Sequence, residues 1–169
     1  GRNIYIFDVT DSRLNGVEEV TSAHEMLHAA YDRLSASERA RIDKLTEEAF
    51  QRINNPRITS LIENYRSQDP SVVPNELHSI LGTEVANLGP ELESYYTKYF
   101  VDRSKVIAHS QAYEKVLADS KNQVEKLDAD LTLRRAEIER LESQLNGLSS
   151  QLEAMQKNMN SLSAGGNVA

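Results

Sequence analysis

The pentad His24-Glu25-Met26-Leu27-His28 contains the residue types that hold a metal ion and activate water. Histidines four residues apart lie on one face of a helix, so both imidazoles can reach a single metal ion. Glu25 follows the first ligand and can then accept a proton from a water molecule at the metal. The spacing predicts a zinc site with hydrolytic chemistry. The alternative interpretation is a helix with two surface histidines and no metal.

Composition restricts the kind of site and the kind of partner. The chain has 169 residues, a net charge of −7 and no cysteine. This charge argues against a nucleic-acid partner, which needs a basic surface. Without cysteine there are no disulfides and no thiolate ligands, so a metal must be held by histidine and carboxylate. No signal peptide and no membrane-spanning run is visible, and a first residue of Gly1 suggests a fragment or processed form.

A catalytic zinc ion takes three protein ligands, so a third ligand must follow the pentad in the sequence. The candidates are Glu76, His78, Glu84 and Asp32. Glu76 is favoured, and His78 in its place would give a three-histidine site. Glu84 and Asp32 fit a role in orienting a ligand imidazole, or are solvated helix charges.

The segment Asn75-Glu76-Leu77-His78-Ser79 and the pentad together resemble the gluzincin-type zincin metallopeptidases. In that family an HExxH helix is followed by a second helix with the pattern N-E-x-x-S, which Asn75, Glu76 and Ser79 match. The resemblance covers residues 1–103. It implies that His24, His28 and Glu76 bind Zn²⁺ and that Glu25 is the general base for hydrolysis of a peptide or protein substrate.

The same resemblance implies two further features of the site. Gluzincins use a tyrosine or histidine to stabilise the oxyanion, and Tyr99 and Tyr96 are the candidates, with core aromatic packing as the alternative. Zincins also pair an edge strand with the substrate, which residues 4–7 or the following Val9-Thr10 could provide by strand addition.

Hydrophobic periodicity and turn signals predict the remaining elements. A β-favouring run, Ile4–Phe7, predicts a short strand. Apolar spacing and capping signals then predict helices at about 17–34, 35–53, 57–67 and 75–87, with another beginning near Pro90.

The C-terminal part of the chain carries a heptad repeat. Residues 91–146 contain neither proline nor glycine, which favours one helix from about 91 to 162. Apolar residues at its a and d positions predict a coiled coil with another copy of the chain or with a helix outside this sequence. The a positions are Leu117, Val124, Leu131, Ile138, Leu145, Leu152 and Met159, and the d positions are Ser120, Leu127, Arg134, Leu141, Leu148, Met155 and Leu162.

Two questions about the coiled coil stay open in the sequence. Gly147 could turn a hairpin, but the heptads continue in phase across it, which favours a continuous helix. In a parallel homodimer Asp130 would meet Arg135 favourably, whereas Glu137 would meet Glu142 unfavourably.

The sequence therefore predicts a mainly α fold. It consists of a small zincin-like helical head with a short N-terminal strand (1–103), a long coiled-coil helix (104–162) and a flexible tail (163–169). The predicted function is that of a zinc-dependent metallopeptidase. The alternative is a structural or interaction protein with a non-catalytic head.

Overall fold

The computed structural model describes residues 3–165, and this part of the chain is mainly helical. A short 3₁₀ helix, Ser12–Leu14, precedes the first α-helix. The prediction of a mainly α chain with a long C-terminal helix is confirmed. The helices are α1 (Val17–Asp32), α2 (Ala36–Phe50), α3 (Pro56–Gln68), α4 (Val73–Glu84), α5 (Pro90–Tyr96) and α6 (Arg103–Gly165).

Local signals set the helix boundaries. Gly16 precedes α1 in the left-handed region (φ 92°), which glycine adopts without strain. Ser35 and Glu38 form the predicted capping box, in which each side chain binds the other residue's backbone N–H at the start of α2. Asn55 accepts hydrogen bonds from the backbone of Arg57 and Ile58, and Pro56 occupies the first turn of α3.

Helix α4 lies at the centre of the helical core and packs against α1, α2 and α3. Every residue from Leu77 to Thr83 is buried. The close approach of α1 depends on Gly82, because a Cβ atom there would lie 2.4 Å from Leu27 Cδ1 and 2.7 Å from Tyr96 Cε1. Gly82 thus allows the helix of the pentad and the helix of Glu76 to pack directly.

The predicted strand at Ile4–Phe7 is wrong, since no strand occurs within residues 3–165. Tyr5 and Phe7 are 88% and 86% exposed, so neither side chain enters the core. A β-strand needs a neighbouring strand to pair its backbone N–H and C=O groups, and residues 3–165 contain no other strand. Just after this segment, the Val9 N–H donates a 2.7 Å hydrogen bond to Glu18 Oε1 of α1.

Helix α6 begins at Arg103, later than the helix predicted from residue 91, because the chain leaves the helical path after α5. Asp102 Oδ1 accepts a 3.1 Å hydrogen bond from the Ser104 N–H. The Arg103 guanidinium donates to the carbonyl oxygens of Leu81 (3.3 Å), Gly82 (3.4 Å) and Val85 (2.7 Å). It also pairs with Glu93. These contacts between distant parts of the sequence fix where α6 begins.

The chain divides into two compact units, Gly1–Ala118 and Asp119–Ala169. The first includes the opening turns of α6, where Ile107 and Ser110 are buried. In the second unit α6 continues without a break through Gly147 to Gly165. Of the predicted tail, residues 166–169 lie outside the described part of the chain. Between residues 3 and 165, no helix has the length and apolar character needed to cross a membrane.

Candidate metal centre

His24, His28 and Glu76 form a single cluster between α1 and α4. The two histidine Nε2 atoms are 3.0 Å apart. Glu76 Oε2 lies 3.7 Å from His24 Nε2, and Glu76 Oε1 lies 3.7 Å from His28 Nε2. The structure thus brings together the three residues that the sequence predicts as ligands, although 48 residues separate His28 from Glu76.

The spacing of these atoms and their chemistry fit a zinc ion. Zinc binds imidazole nitrogen and carboxylate oxygen at about 2.0–2.2 Å, and tetrahedral geometry then separates two ligand atoms by roughly 3.3 Å. One ligand atom from each residue lies within 4.8 Å of the others, and the two imidazole nitrogens, at 3.0 Å, are close to the tetrahedral separation. All three side chains are partly exposed, at 21%, 21% and 18%, so the cluster stays open on one side.

Asn75 and Ser79 hold the imidazole of His28. Asn75 Oδ1 lies 3.0 Å from His28 Nδ1, and Ser79 Oγ lies 3.3 Å from the same nitrogen. The Asn75 amide oxygen can only accept, so it assigns the proton of neutral His28 to Nδ1. The lone pair of His28 Nε2 then faces His24 and Glu76, as a metal ligand requires. Asn75 and Ser79, the first and last residues of the N-E-x-x-S pattern, therefore both contact His28 from one face of α4.

The carboxylate of Glu76 is kept in its charged form. Its polar contact with the His24 imidazole lowers the pKa of Glu76, and burial opposes this. Tyr65 on α3 is near enough to Glu76 to lower the pKa of Glu76 as well, and burial raises the pKa of Tyr65. Sequence reasoning missed Tyr65, because no motif or spacing links α3 to the pentad.

Glu25 lies on the wall of a cleft of about 770 Å³ next to the cluster. His28 and Asp32 line the same cleft, and the N-terminal segment contributes Asn3, Ile4 and Tyr5. Glu25 is exposed, in contrast to the partly buried ligands. Its carboxylate is therefore accessible to water and to a molecule bound in the cleft.

The other candidate ligands lie elsewhere. His78 is buried against the rings of Tyr31, Tyr95 and Tyr96, and its Nε2 lies 2.9 Å from the Tyr95 hydroxyl oxygen. Burial lowers the pKa of His78 to about 3, so its imidazole is neutral near pH 7. Its Nδ1 has no hydrogen-bond partner in residues 3–165.

Neither Glu84 nor Asp32 belongs to the described group of possible metal ligands. Glu84 pairs with Arg57, which contacts Glu114 at 3.1 Å as well. Asp32 lines the cleft near the end of α1.

The structure places the two candidate tyrosines in an aromatic cluster with His78. Tyr96 is 1% exposed, and its hydroxyl donates a 2.7 Å hydrogen bond to the carbonyl oxygen of His78. The hydroxyl oxygen of Tyr99 lies 3.3 Å from that of Tyr95. Each hydroxyl thus has a partner within the core, and neither tyrosine is among the residues that line the cleft beside Glu25.

Comparison of the chain with protein-family models, curated proteins and solved structures finds no match. The arguments about function therefore depend on the geometry of the cluster and on the chemistry of its residues.

Proposed function

We propose that the chain is a zinc-dependent metallopeptidase that hydrolyses peptide bonds in a peptide or protein substrate. The observation that carries this proposal is the convergence of His24, His28 and Glu76 within 4.8 Å of one another. These residues would hold the ion, and Asn75 and Ser79 would keep His28 in the tautomer that binds it.

Glu25 is the proposed general base. When bound, the zinc ion would supply a Lewis acid that polarises water and the substrate carbonyl. The Glu25 carboxylate accepts a proton from the attacking water and then transfers it to the nitrogen of the leaving amine. Its exposure on the cleft wall gives it access to both molecules.

Metal content is the first test of this proposal. The purified chain should take up one equivalent of zinc, measured by elemental analysis after dialysis, and His24→Ala or His28→Ala should abolish the uptake. His109→Ala is the matched control, because His109 packs against Gly16 and takes no part in the cluster. Failure of the wild-type chain to bind added zinc at neutral pH would refute the proposal.

Activity is tested separately from metal binding. We expect the zinc-loaded chain to cleave members of a peptide library, with loss of cleavage on chelation and recovery on adding zinc. Glu25→Gln should retain zinc and lose cleavage, because it removes the proton acceptor without removing a ligand. Loss of zinc in this variant would contradict the role given to Glu25.

The exposed apolar face of α6 favours a second candidate function, that of an interaction protein with a non-catalytic head. In that case neither the wild-type chain nor Glu25→Gln would cleave any peptide, even with zinc bound. Cleavage by the wild-type chain alone excludes this alternative.

A further inference from the structure

Helix α6 carries an apolar stripe formed by the hydrophobic a and d residues of its heptads. These side chains are 49–76% exposed. The stripe consists of Leu117, Val124, Leu127, Leu131, Ile138, Leu141, Leu145, Leu148, Leu152, Met155, Met159 and Leu162. Because the helix continues through Gly147, residues 119–165 do not fold back to cover the stripe themselves.

The stripe is large enough to hold two chains together. Loss of about 60 Å² of apolar surface at each of its twelve side chains would bury roughly 1,400 Å² over two copies. This lies within the range of about 1,200–2,000 Å² for stable interfaces. A second copy of the helix is therefore sufficient to cover the stripe.

We propose that the stripe pairs with the same stripe of a second copy in an antiparallel homodimer. With the ends of the two stripes flush, Leu117 lies opposite Leu162 of the second copy and Val124 lies opposite Met155. Each a position then faces a d position along the whole stripe. The charges beside the stripe select this orientation over the parallel one.

A parallel dimer places like charges together. In that orientation Arg134, a d residue, faces Arg134 of the second copy inside the interface, with Arg135 adjacent to both. Glu137 faces Glu142 of the second copy, which is repulsive. The favourable contact of Asp130 with Arg135 of the second copy is weakened, because Asp130 already forms an ion pair with Arg134 of its own chain at 2.7 Å.

The antiparallel dimer separates these charges. Positions e then face e, and positions g face g, along the two sides of the stripe. In the flush register Arg135 faces Glu142 of the second copy, and this pair occurs twice by symmetry. Glu137 faces the neutral Gln144, so its repulsion with Glu142 is absent.

The same register removes the clash of arginines. Arg134 lies opposite Leu145 of the second copy, and its side chain is 72% exposed in the single helix. Its aliphatic stem can cover Leu145 while the guanidinium stays in water beside Asp130. No like-charged pair at facing e or g positions remains in this arrangement.

Cysteine cross-linking tests the orientation in the full chain, which has no native cysteine. Val124→Cys and Met155→Cys are prepared as separate variants. A mixture of the two should form a disulfide between unlike chains under mild oxidation, and each variant alone should remain largely uncross-linked. In the antiparallel dimer the two Val124 positions are about 46 Å apart along the helix. Efficient cross-linking of Val124→Cys with itself would overturn the proposal.

Mass and charge provide the second test. Sedimentation equilibrium of the wild-type chain, whose mass is 19.0 kDa, should give twice this value, and a monomer or a trimer would refute the pairing. Glu142→Arg should weaken the dimer about tenfold, since the introduced guanidinium would face Arg135 of the other copy at two symmetric places. A parallel dimer would tighten instead, because the Glu137–Glu142 repulsion becomes an attraction. Glu139→Arg is the matched control, with the same charge change at an outward-facing b position.

Discussion

Substitution of Gly82 by alanine should destabilise the first unit of the chain. In most helix interiors this change stabilises, because alanine has the higher helix propensity by about 1 kcal/mol. Here the new Cβ would lie 2.4 Å from Leu27 Cδ1 and 2.7 Å from Tyr96 Cε1. Carbon atoms pack at about 3.5–4.0 Å, so each of these neighbours must move by roughly 1 Å.

Neither neighbour has room for such a movement. Leu27 is fully buried and Tyr96 is 1% exposed, with its hydroxyl bound to the carbonyl oxygen of His78. Overpacking costs about 1–3 kcal/mol, and with two buried neighbours displaced we expect the upper part of that range, about 2–3 kcal/mol. After the gain of about 1 kcal/mol in helix propensity, the net loss is about 1–2 kcal/mol. For a unit of this size that loss lowers Tm by roughly 4–8 °C.

Tyrosine fluorescence can follow this unfolding selectively. All seven tyrosines lie in residues 1–118, and the chain has no tryptophan. Gly147→Ala is the matched control, because a Cβ there meets nothing within 4 Å. It should leave the tyrosine signal unchanged and slightly stabilise α6. Zinc titration gives a second readout, since displacement of α1 from α4 separates the histidines from Glu76 and should weaken binding.

A double-mutant cycle tests whether the clash with Leu27 causes the predicted loss of stability. In a Leu27→Ala background the Cδ1 atom is absent, so Gly82→Ala should cost less than it does in the wild-type chain. Equal costs in both backgrounds would refute the steric argument. So would a Gly82→Ala variant that is as stable as the wild-type chain.

Three further predictions concern positioning and stability. Asn75→Ala should weaken zinc binding about 10–100-fold in a calorimetric titration, because His28 loses the acceptor that fixes its tautomer; unchanged affinity would contradict this. Arg103→Ala should lower the free energy of unfolding by about 3 kcal/mol in urea. Arg103→Lys should not restore it, since only the forked guanidinium can bind the three carbonyl oxygens and the Glu93 carboxylate at the same time. Gly16→Ala should destabilise the first unit for two reasons: alanine is strained at this positive φ, and its Cβ would clash with His109. His109→Ala should relieve the clash but not the backbone strain. The unfolding free energies of the two single variants and the double variant separate the two effects.

Local signals allowed most of the helices to be predicted from the sequence. The Ser35–Glu38 capping box and the Asn55-Pro56 helix start act within a few residues, so they hold regardless of the rest of the fold. The Ile4–Phe7 strand was wrong because β-propensity describes fit to a sheet, and the described residues form no sheet.

Features that depend on tertiary contacts could not be predicted in this way. The break before Arg103 contains no proline or glycine, and the position of Arg103 is fixed by carbonyl groups about twenty residues earlier. The pentad and the segment around Glu76 predicted the cluster of His24, His28 and Glu76, because the spacing of candidate ligands is local to each helix. The contact of Tyr65 with Glu76 joins separate helices, and no sequence period encodes it.

If zinc binds as proposed, the origin of its ligands on two helices would link metal concentration to folding. His24 and His28 are neighbours in the unfolded chain as well, but Glu76 joins them only when α4 has docked on α1. A zinc ion that needs all three ligands binds the folded state selectively. At a free concentration 100 times its Kd it would add about 2.7 kcal/mol to the stability of the first unit. The supply of zinc would then set the folded fraction of the chain as well as its catalytic competence.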